Sequence, residues 1–143
     1  MDAMNKLAPA VLALCCVAML GIAPLTDKPD APLPEDRDWP GYIGDGDTTR
    51  DMVDRALEGY DVLGKRMEKL LDTLYADLDD KGDALLSQTQ SNWEAYAKSK
   101  RSFDADVYRG GTLSSVVAGV SYCGALCERI NELKIAISAR EPN

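Results

Sequence analysis

The 143-residue sequence contains no histidine, and its aromatic residues amount to only 6%. Histidine is the usual general base near neutral pH, the partner of catalytic serine and cysteine nucleophiles, and the commonest ligand of transition metals. Its absence argues against an enzyme, so we expect no catalytic residues, no cofactor and no metal site. No segment alternates polar and apolar residues convincingly, which argues against half-exposed strands.

Basic residues are also scarce, with 16 lysines and arginines against 24 aspartates and glutamates, a net charge of −8. A protein that binds nucleic acid needs clustered basic side chains to neutralise phosphates, so we exclude nucleic acid as a partner. A charged partner is expected to be a basic protein. The 45% of apolar and 28% of charged residues are typical of a folded chain, and the length suits one domain.

One long stretch carries no charge. From Leu7 to Thr26 the sequence reads LAPAVLALCCVAMLGIAPLT. It is long enough for the hydrophobic part of a signal peptide and close to the ~20 residues of a spanning helix. We interpret residues 1–23 as a signal peptide or an N-terminal membrane anchor. The protein is then periplasmic or secreted, and it contacts a membrane only if residues 7–26 stay uncleaved and anchor it to the inner membrane.

The cysteines form two pairs. Cys15 and Cys16 lie inside the apolar segment, and their surroundings favour two small apolar side chains over a lipidated cysteine. Cys123 and Cys127 are four residues apart, which puts them on one helical face and makes a disulfide between them awkward. Two buried thiols, or a pair bonded after the helix distorts, are both open.

Residues 24–47 contain five of the seven prolines, and we interpret them as a Pro/Gly-rich linker. The aromatic pair of Trp39 and Tyr42 within it is expected to fold back onto the domain that follows. For that domain, residues 48–140, the sequence predicts an elongated, antiparallel, all-α arrangement of three helices.

The helix predictions rest on apolar residues spaced three and four positions apart. The first helix covers residues 48–78 with Thr48 or Thr49 as its N-cap, and Gly110-Gly111 separates the second from a third that Thr112 begins. The predicted core stripes are Val53, Leu57, Tyr60, Leu63, Met67, Leu71, Leu74 and Leu78; then Leu86, Thr89, Trp93, Tyr96, Phe103 and Val107; then Leu113, Val117, Val120, Cys123, Cys127, Ile130 and Leu133.

The turn between the first two helices is acidic. Residues 77–83 read DLDDKGD, which is similar to the start of an EF-hand calcium loop. Lys81 stands where an oxygen ligand belongs, and the twelfth position is Gln88 rather than glutamate. An acidic turn between helices is therefore the preferred interpretation.

Several of these residues follow an order and spacing found in one family. They are Leu71 with Asp72 and Tyr75; Leu86, Gln90, Trp93 and Tyr96; Gly110, Gly111 and Thr112; Cys123; and Arg129 with Glu132 and Leu133. Over about residues 55–136 the sequence resembles the LprI-like lysozyme-inhibitor domain of bacterial exported proteins. The resemblance implies a helical domain that inhibits a lysozyme-type cell-wall lytic enzyme by binding it.

The sequence departs from the family pattern at four positions. Asp72 replaces an asparagine, Ala97 and Lys98 stand where the family has Arg-Asp, and Arg101 stands where a cysteine of the second helix is expected. The resemblance thus implies that the interhelix disulfide of the family is missing here. We expect Cys123 and Cys127 to be reduced or bonded to each other, with no bond to another helix.

Two functions follow as hypotheses. An inhibitor would bind a basic c-type lysozyme or a related muramidase, with the carboxylates of Asp77, Asp79, Asp80 and Asp83 as candidate contacts. The alternative is a non-catalytic helical adaptor or structural module of the bacterial cell envelope. An inhibitor should expose a compact patch of carboxylates or aromatics, and an adaptor should expose an apolar groove or stripe.

Two motif residues are expected to serve the fold. We expect Trp93 to be buried between helices, so that its replacement by alanine costs ~3–5 kcal/mol. Gln90 is expected to tie its helix to the backbone of another helix, because a buried amide needs hydrogen-bond partners.

Overall fold

The structure, a computed structural model, describes residues 37–141. Within that range the chain forms helices and no strand, which confirms the all-α class. The helices are α1 (Trp39–Gly44), α2 (Thr49–Tyr75), α3 (Asp80–Asp106) and α4 (Leu113–Ser138). The signal or anchor interpretation, the linker up to residue 36, and the pair of Cys15 and Cys16 lie outside the described residues. None of the helices in residues 37–141 is long and apolar enough to cross a membrane.

Helix α4 is the central helix, because α1, α2 and α3 all pack against it. Its sequence is rich in small and apolar residues, so it has no wide polar face. Its buried residues are Val116, Gly119, Cys123, Ala125, Leu126, Arg129, Ile130 and Leu133. A helix that is covered on several sides needs such a sequence, since each neighbour must bury apolar surface against it.

The ends of α2 and α3 are fixed by side-chain caps. The Thr48 hydroxyl accepts the Asp51 N–H at 3.1 Å, and the Asp51 carboxylate accepts the Thr48 N–H at 3.0 Å. This capping box confirms Thr48 as the N-cap of α2. The Asp79 carboxylate accepts the Gly82 N–H at 2.8 Å and caps α3. Thr112 does stand at the N-cap position of α4, but its side chain makes no capping hydrogen bond.

Helix α1 lies inside residues 24–47, the segment predicted to be a linker. Trp39 and Ile43 are among the most completely buried side chains, at 1% and 0% exposure. They join the core cluster formed by α2 and α4. A tryptophan removes more apolar surface from water than other side chains, which explains why a segment with Pro40 and two glycines still packs. The packed domain therefore includes α1 and begins before residue 48.

Helices α2 and α4 approach closely at two glycines. A Cβ atom on Gly59 would lie 2.7 Å from the Cys123 Sγ and 3.0 Å from the Trp39 ring. A Cβ atom on Gly119 would lie 2.5 Å from the Ala56 Cβ. Contacts this short would force the helices apart, so both positions require glycine.

The predicted core stripe of α3 is wrong in part. Phe103 and Val107 are 80% and 81% exposed, Tyr96 is 54% exposed, and Thr89 is exposed as well. The buried residues of α3 are instead Gln90, Ala97 and Ala105. Small and polar side chains face the other helices because they can pack closely or form hydrogen bonds there. Apolar spacing alone did not distinguish this inner face from the outer one.

The stripes of α2 and α4 are largely confirmed, with one exposed residue in each. Leu57 on α2 is 56% exposed, and Leu113 at the start of α4 is 43% exposed. Ala56 takes the place of Leu57 in the core, because the close contact with α4 leaves room only for a small side chain. The remaining predicted positions of the two stripes are buried or partly buried, but α2 ends at Tyr75, so Leu78 lies in the turn that follows it.

The two tryptophans should differ in their effect on stability. Trp93 is only partly buried, with its ring 6.5 Å from that of Tyr122. We expect Trp39→Ala to lower the free energy of unfolding by ~3–5 kcal/mol and Trp93→Ala by about 1–2 kcal/mol. Urea denaturation followed by circular dichroism measures both. An equal or larger loss for Trp93→Ala would contradict the assignment of Trp39 to the core.

Candidate functional site

Two of the residues that carry the resemblance, Gln90 and Arg129, meet at a buried polar contact between α3 and α4. Gln90 and Arg129 are 8% and 6% exposed. The Arg129 Nε donates to the Gln90 Oε1 at 3.2 Å, and its Nη1 donates to Glu132 at 2.9 Å. The Gln90 amide in turn donates to Glu94 at 3.3 Å. The partner of Gln90 across the interface is thus a side chain, not the backbone that the sequence analysis expected.

The contact also reaches α2. The Gln90 Nε2 lies 3.7 Å from the Met67 Sδ, a weak acceptor. The third nitrogen of the Arg129 guanidinium, Nη2, is buried and has no hydrogen-bond partner among residues 37–141. An arginine held in this way is costly to bury and depends on the few bonds that it makes. Gln90 is therefore central to keeping Arg129 inside the domain.

Other motif residues lie around this contact. The Tyr75 hydroxyl and the Ser87 hydroxyl are 3.0 Å apart and join the end of α2 to α3. Leu133 is fully buried, and Leu71 and Leu86 are partly buried. Gly110 has a φ of 78°, a left-handed conformation that favours glycine, and Gly111 follows it in the turn before α4. Tyr96, in contrast, is exposed to solvent, as are Asp72, Thr112 and Glu132.

Arg101 makes a non-covalent link at the position where the family pattern has a cysteine. Its guanidinium lies over the Tyr122 ring, 5.6 Å from the centroid, and its positive charge also acts on the Tyr60 hydroxyl, where it favours the ionised form. The Tyr60 and Tyr122 rings meet edge to face at 5.0 Å. Arg101 therefore connects α3 to both α2 and α4. Burial still raises the pKa of Tyr60, which Arg101 only partly offsets.

Cys123 and Cys127 are both free, in agreement with the expectation that neither bonds to another helix. Cys123 is completely buried, and this burial raises its pKa to about 12. Burial is also the main cause that raises the pKa of Cys127, followed by the charges of Asp38 and Glu128. Both thiols remain protonated at neutral pH, so they are poor nucleophiles.

A second polar link between α3 and α4 lies on the far side of Arg101. The Asp104 carboxylate accepts hydrogen bonds from the Lys100 Nζ and the Ser121 hydroxyl, each at 2.6 Å. These two bonds lower the pKa of Asp104, and the bond to Asp104 raises the pKa of Lys100. Polar contacts thus fix α3 on α4 along much of its length.

The candidate acidic contacts come together where α2 ends and α3 begins. Asp77, Asp79 and Asp80 are exposed, and Asp83 is partly buried with its Oδ1 unpartnered among the described residues. Asp79 also serves as the α3 cap, and Asp80 and Asp83 lie in the first helical turn, where the helix dipole favours negative charge. No group of three acidic or cysteine side chains in residues 37–141 is arranged to hold a metal ion.

Two cavities border the ends of the helices. One of about 300 Å³ lies beside the acidic turn and is lined by Thr73, Leu74, Asp77, Ile137, Arg140 and Glu141. The other, of about 320 Å³, lies beside the α3–α4 turn and includes Arg101, Asp106, Arg109 and Ser114 in its lining. In the second cavity Arg109 is already paired with Asp106 at 2.6 Å, so its charge is largely neutralised there.

Two features of the structure are not predicted by the sequence pattern. The first is the stacked cluster of α1 and α2, in which the guanidinium groups of Arg37 and Arg55 lie 4.2 and 4.6 Å from the Tyr42 ring centroid. The second is the apolar outer face of α3. Its exposed residues are Leu85, Tyr96, Phe103 and the C-cap residue Val107, and we call these four the outer stripe. The sequence does contain a signal for this face: Phe103 lies seven residues from Tyr96, and Leu85 and Val107 lie eleven residues from it. Seven and eleven residues are close to two and three whole turns of a helix.

Comparison with known proteins finds no matching family model, no similar curated protein and no similar solved structure.

The Gln90–Arg129 contact can be tested by a double-mutant cycle. Gln90→Leu leaves the Arg129 Nε without its partner, so it should cost about 1–3 kcal/mol of unfolding free energy. Arg129→Met leaves the Gln90 amide unpaired and should also destabilise the domain. The double variant should be more stable than the sum of the single effects predicts, because an apolar pair replaces both partners. Additive losses in urea denaturation would show that the two side chains act separately.

Proposed function

We propose that this chain is an exported, non-catalytic protein that binds and inhibits a basic lysozyme-type cell-wall lytic enzyme. The observation that carries the proposal is the Gln90–Arg129 contact. It joins two residues of the family motif that lie on different helices, and both are buried. A motif whose distant members meet in the core is better support for the resemblance than a match in sequence order alone.

Charge supports the choice of partner. The chain has a net charge of −8, and residues 77–83 contain four aspartates at one end of the helices. Three of these carboxylates are exposed, where they are accessible to a basic enzyme such as a c-type lysozyme or related muramidase. Complementary charge accelerates association by steering the encounter between the two proteins.

The N-terminal sequence supports the proposed location. The uncharged stretch from residue 7 to residue 26 is suited to export or to anchoring in the inner membrane. We accordingly place the domain in the periplasm or outside the cell, where peptidoglycan and its lytic enzymes meet. Within this proposal, the protein acts by covering its target and not by chemical turnover.

The second candidate function is a helical adaptor or structural module of the cell envelope. The outer stripe of α3 favours it, because exposed apolar side chains on one helix face are suited to binding another protein. This candidate predicts a folded protein with no effect on lysozyme activity.

Clearing of a peptidoglycan suspension measures inhibition directly. We expect the purified full chain to slow clearing by c-type lysozyme in a reversible, dose-dependent manner. Replacing Asp77, Asp79, Asp80 and Asp83 by asparagine should slow association about tenfold and change dissociation little, because charges at the rim of an interface act mainly on the association rate. Asparagine suits this test because it retains the N-cap role of Asp79. Raising salt from about 20 to 150 mM should reproduce part of this loss.

The matched control replaces four exposed aspartates away from the acidic turn, Asp45 and Asp47 before α2 and Asp54 and Asp61 in its first half, by asparagine. It changes the net charge equally, so it should slow association much less if the acidic turn is the contact. Equal effects of the two sets would reject this site and keep the function. No inhibition at a large molar excess of folded protein would reject the inhibitor and leave the adaptor.

A further inference from the structure

The outer stripe of α3 is not accounted for by the domain itself. Leu85, Tyr96, Phe103 and Val107 are between 54% and 81% exposed, although α3 packs its opposite side against α4. Isolated exposed apolar residues are common and need no explanation. Four large ones along a single face of one helix, with only the uncharged Thr89, Asn92 and Ser99 between them, are instead typical of an interaction site.

The stripe has a symmetric spacing. Leu85 lies eleven residues before Tyr96 and Val107 lies eleven after it. Thr89 and Phe103 lie seven residues before and after the same tyrosine. Because an α-helix has 3.6 residues per turn, separations of seven and eleven residues return to nearly the same face. The pattern therefore reads alike from both ends of the helix.

We propose that the outer stripe is the interface between two copies of this chain, with their α3 helices antiparallel across a twofold axis at Tyr96. A twofold interface requires that a residue and its counterpart exchange roles between the copies. In this register Leu85 meets Val107 of the second copy, and Phe103 meets Thr89, whose methyl group is apolar. Tyr96 meets its own counterpart at the axis.

The charges along the stripe are compatible with this pairing. Asn92 and Ser99 lie on the same face and are uncharged. Lys100, one turn after Tyr96, is already paired with Asp104 at 2.6 Å. No uncompensated like charges would meet at the axis. The total charge of −8 on each copy opposes association, so added salt should strengthen the dimer.

The area of the stripe sets the expected strength. Four such side chains contribute on the order of 500 Å² per copy, below the ~800 Å² of a standard interface. We therefore expect a weak, reversible dimer with a dissociation constant on the order of 10 μM. The symmetric spacing favours a second copy over an unrelated protein, because only a twofold contact pairs the positions before Tyr96 with those after it.

Sedimentation equilibrium of the full chain tests the association. We expect Phe103→Lys to raise the dimer dissociation constant by about tenfold or more, a loss of ~1.4 kcal/mol of binding free energy. Ile135→Lys is the matched control, because Ile135 is an exposed apolar residue on α4, outside the stripe, and the change in charge is the same. It should change the dissociation constant by less than about twofold. Equal effects of the two variants, or a monomer at all concentrations up to about 200 μM, would overturn the proposal.

Engineered cysteines test the register. On mild oxidation, the Tyr96→Cys chain should form a disulfide with its own copy. A mixture of the Leu85→Cys and Val107→Cys chains should link to each other, and each alone should link to itself much less. The tryptic peptides that span residues 82–98 and 102–109 contain no native cysteine, so mass spectrometry identifies these links unambiguously.

Linkage of Leu85→Cys to its own copy in preference to Val107→Cys would exclude the antiparallel register. A dimer that keeps its strength in Phe103→Lys would place the contact elsewhere in the chain. Dimerisation and inhibition are also separable by salt, because added salt should strengthen the first and weaken the second.

Discussion

The fold depends on how closely α2 can approach α4. At Gly59 and Gly119 the two helices are so near that a single methyl group would collide with Cys123, Trp39 or Ala56. This proximity lets α4 serve as the centre of the domain and lets Trp39 of α1 be covered almost completely. With few large aromatics available, the chain obtains a dense core from small residues at close range.

Helix α3 is held by a different kind of contact. Gln90, Arg101 and Asp104 bind α4, and in two cases also α2, through hydrogen bonds and ring contacts. Such contacts depend on direction, so they fix the rotation of α3 about its own axis. That rotation leaves the apolar residues of α3 outside and the acidic turn exposed at its beginning. Both surfaces proposed to bind other molecules thus follow from how α3 is held.

The sequence predicted the helices well but the burial within α3 poorly. Apolar spacing located α2, α3 and α4, and capping residues such as Thr48 marked where helices begin. On α3 the apolar residues divide between two faces, and periodicity does not say which one faces inward. Helix α1 was hidden by the proline-rich composition around it. The contact of Gln90 with Arg129 joins residues 39 positions apart, which one sequence does not reveal.

Paired glycine substitutions on α4 test the close approach most directly. Gly119→Ala adds a methyl group against Ala56, whereas Gly124→Ala adds one where nothing lies within 4 Å. Both changes improve helix propensity equally, so their difference in unfolding free energy reports the contact alone. We predict that Gly119→Ala destabilises the domain by about 1–3 kcal/mol and that Gly124→Ala stabilises it by up to ~1 kcal/mol. Equal stabilisation by both substitutions would contradict the close packing of α2 against α4.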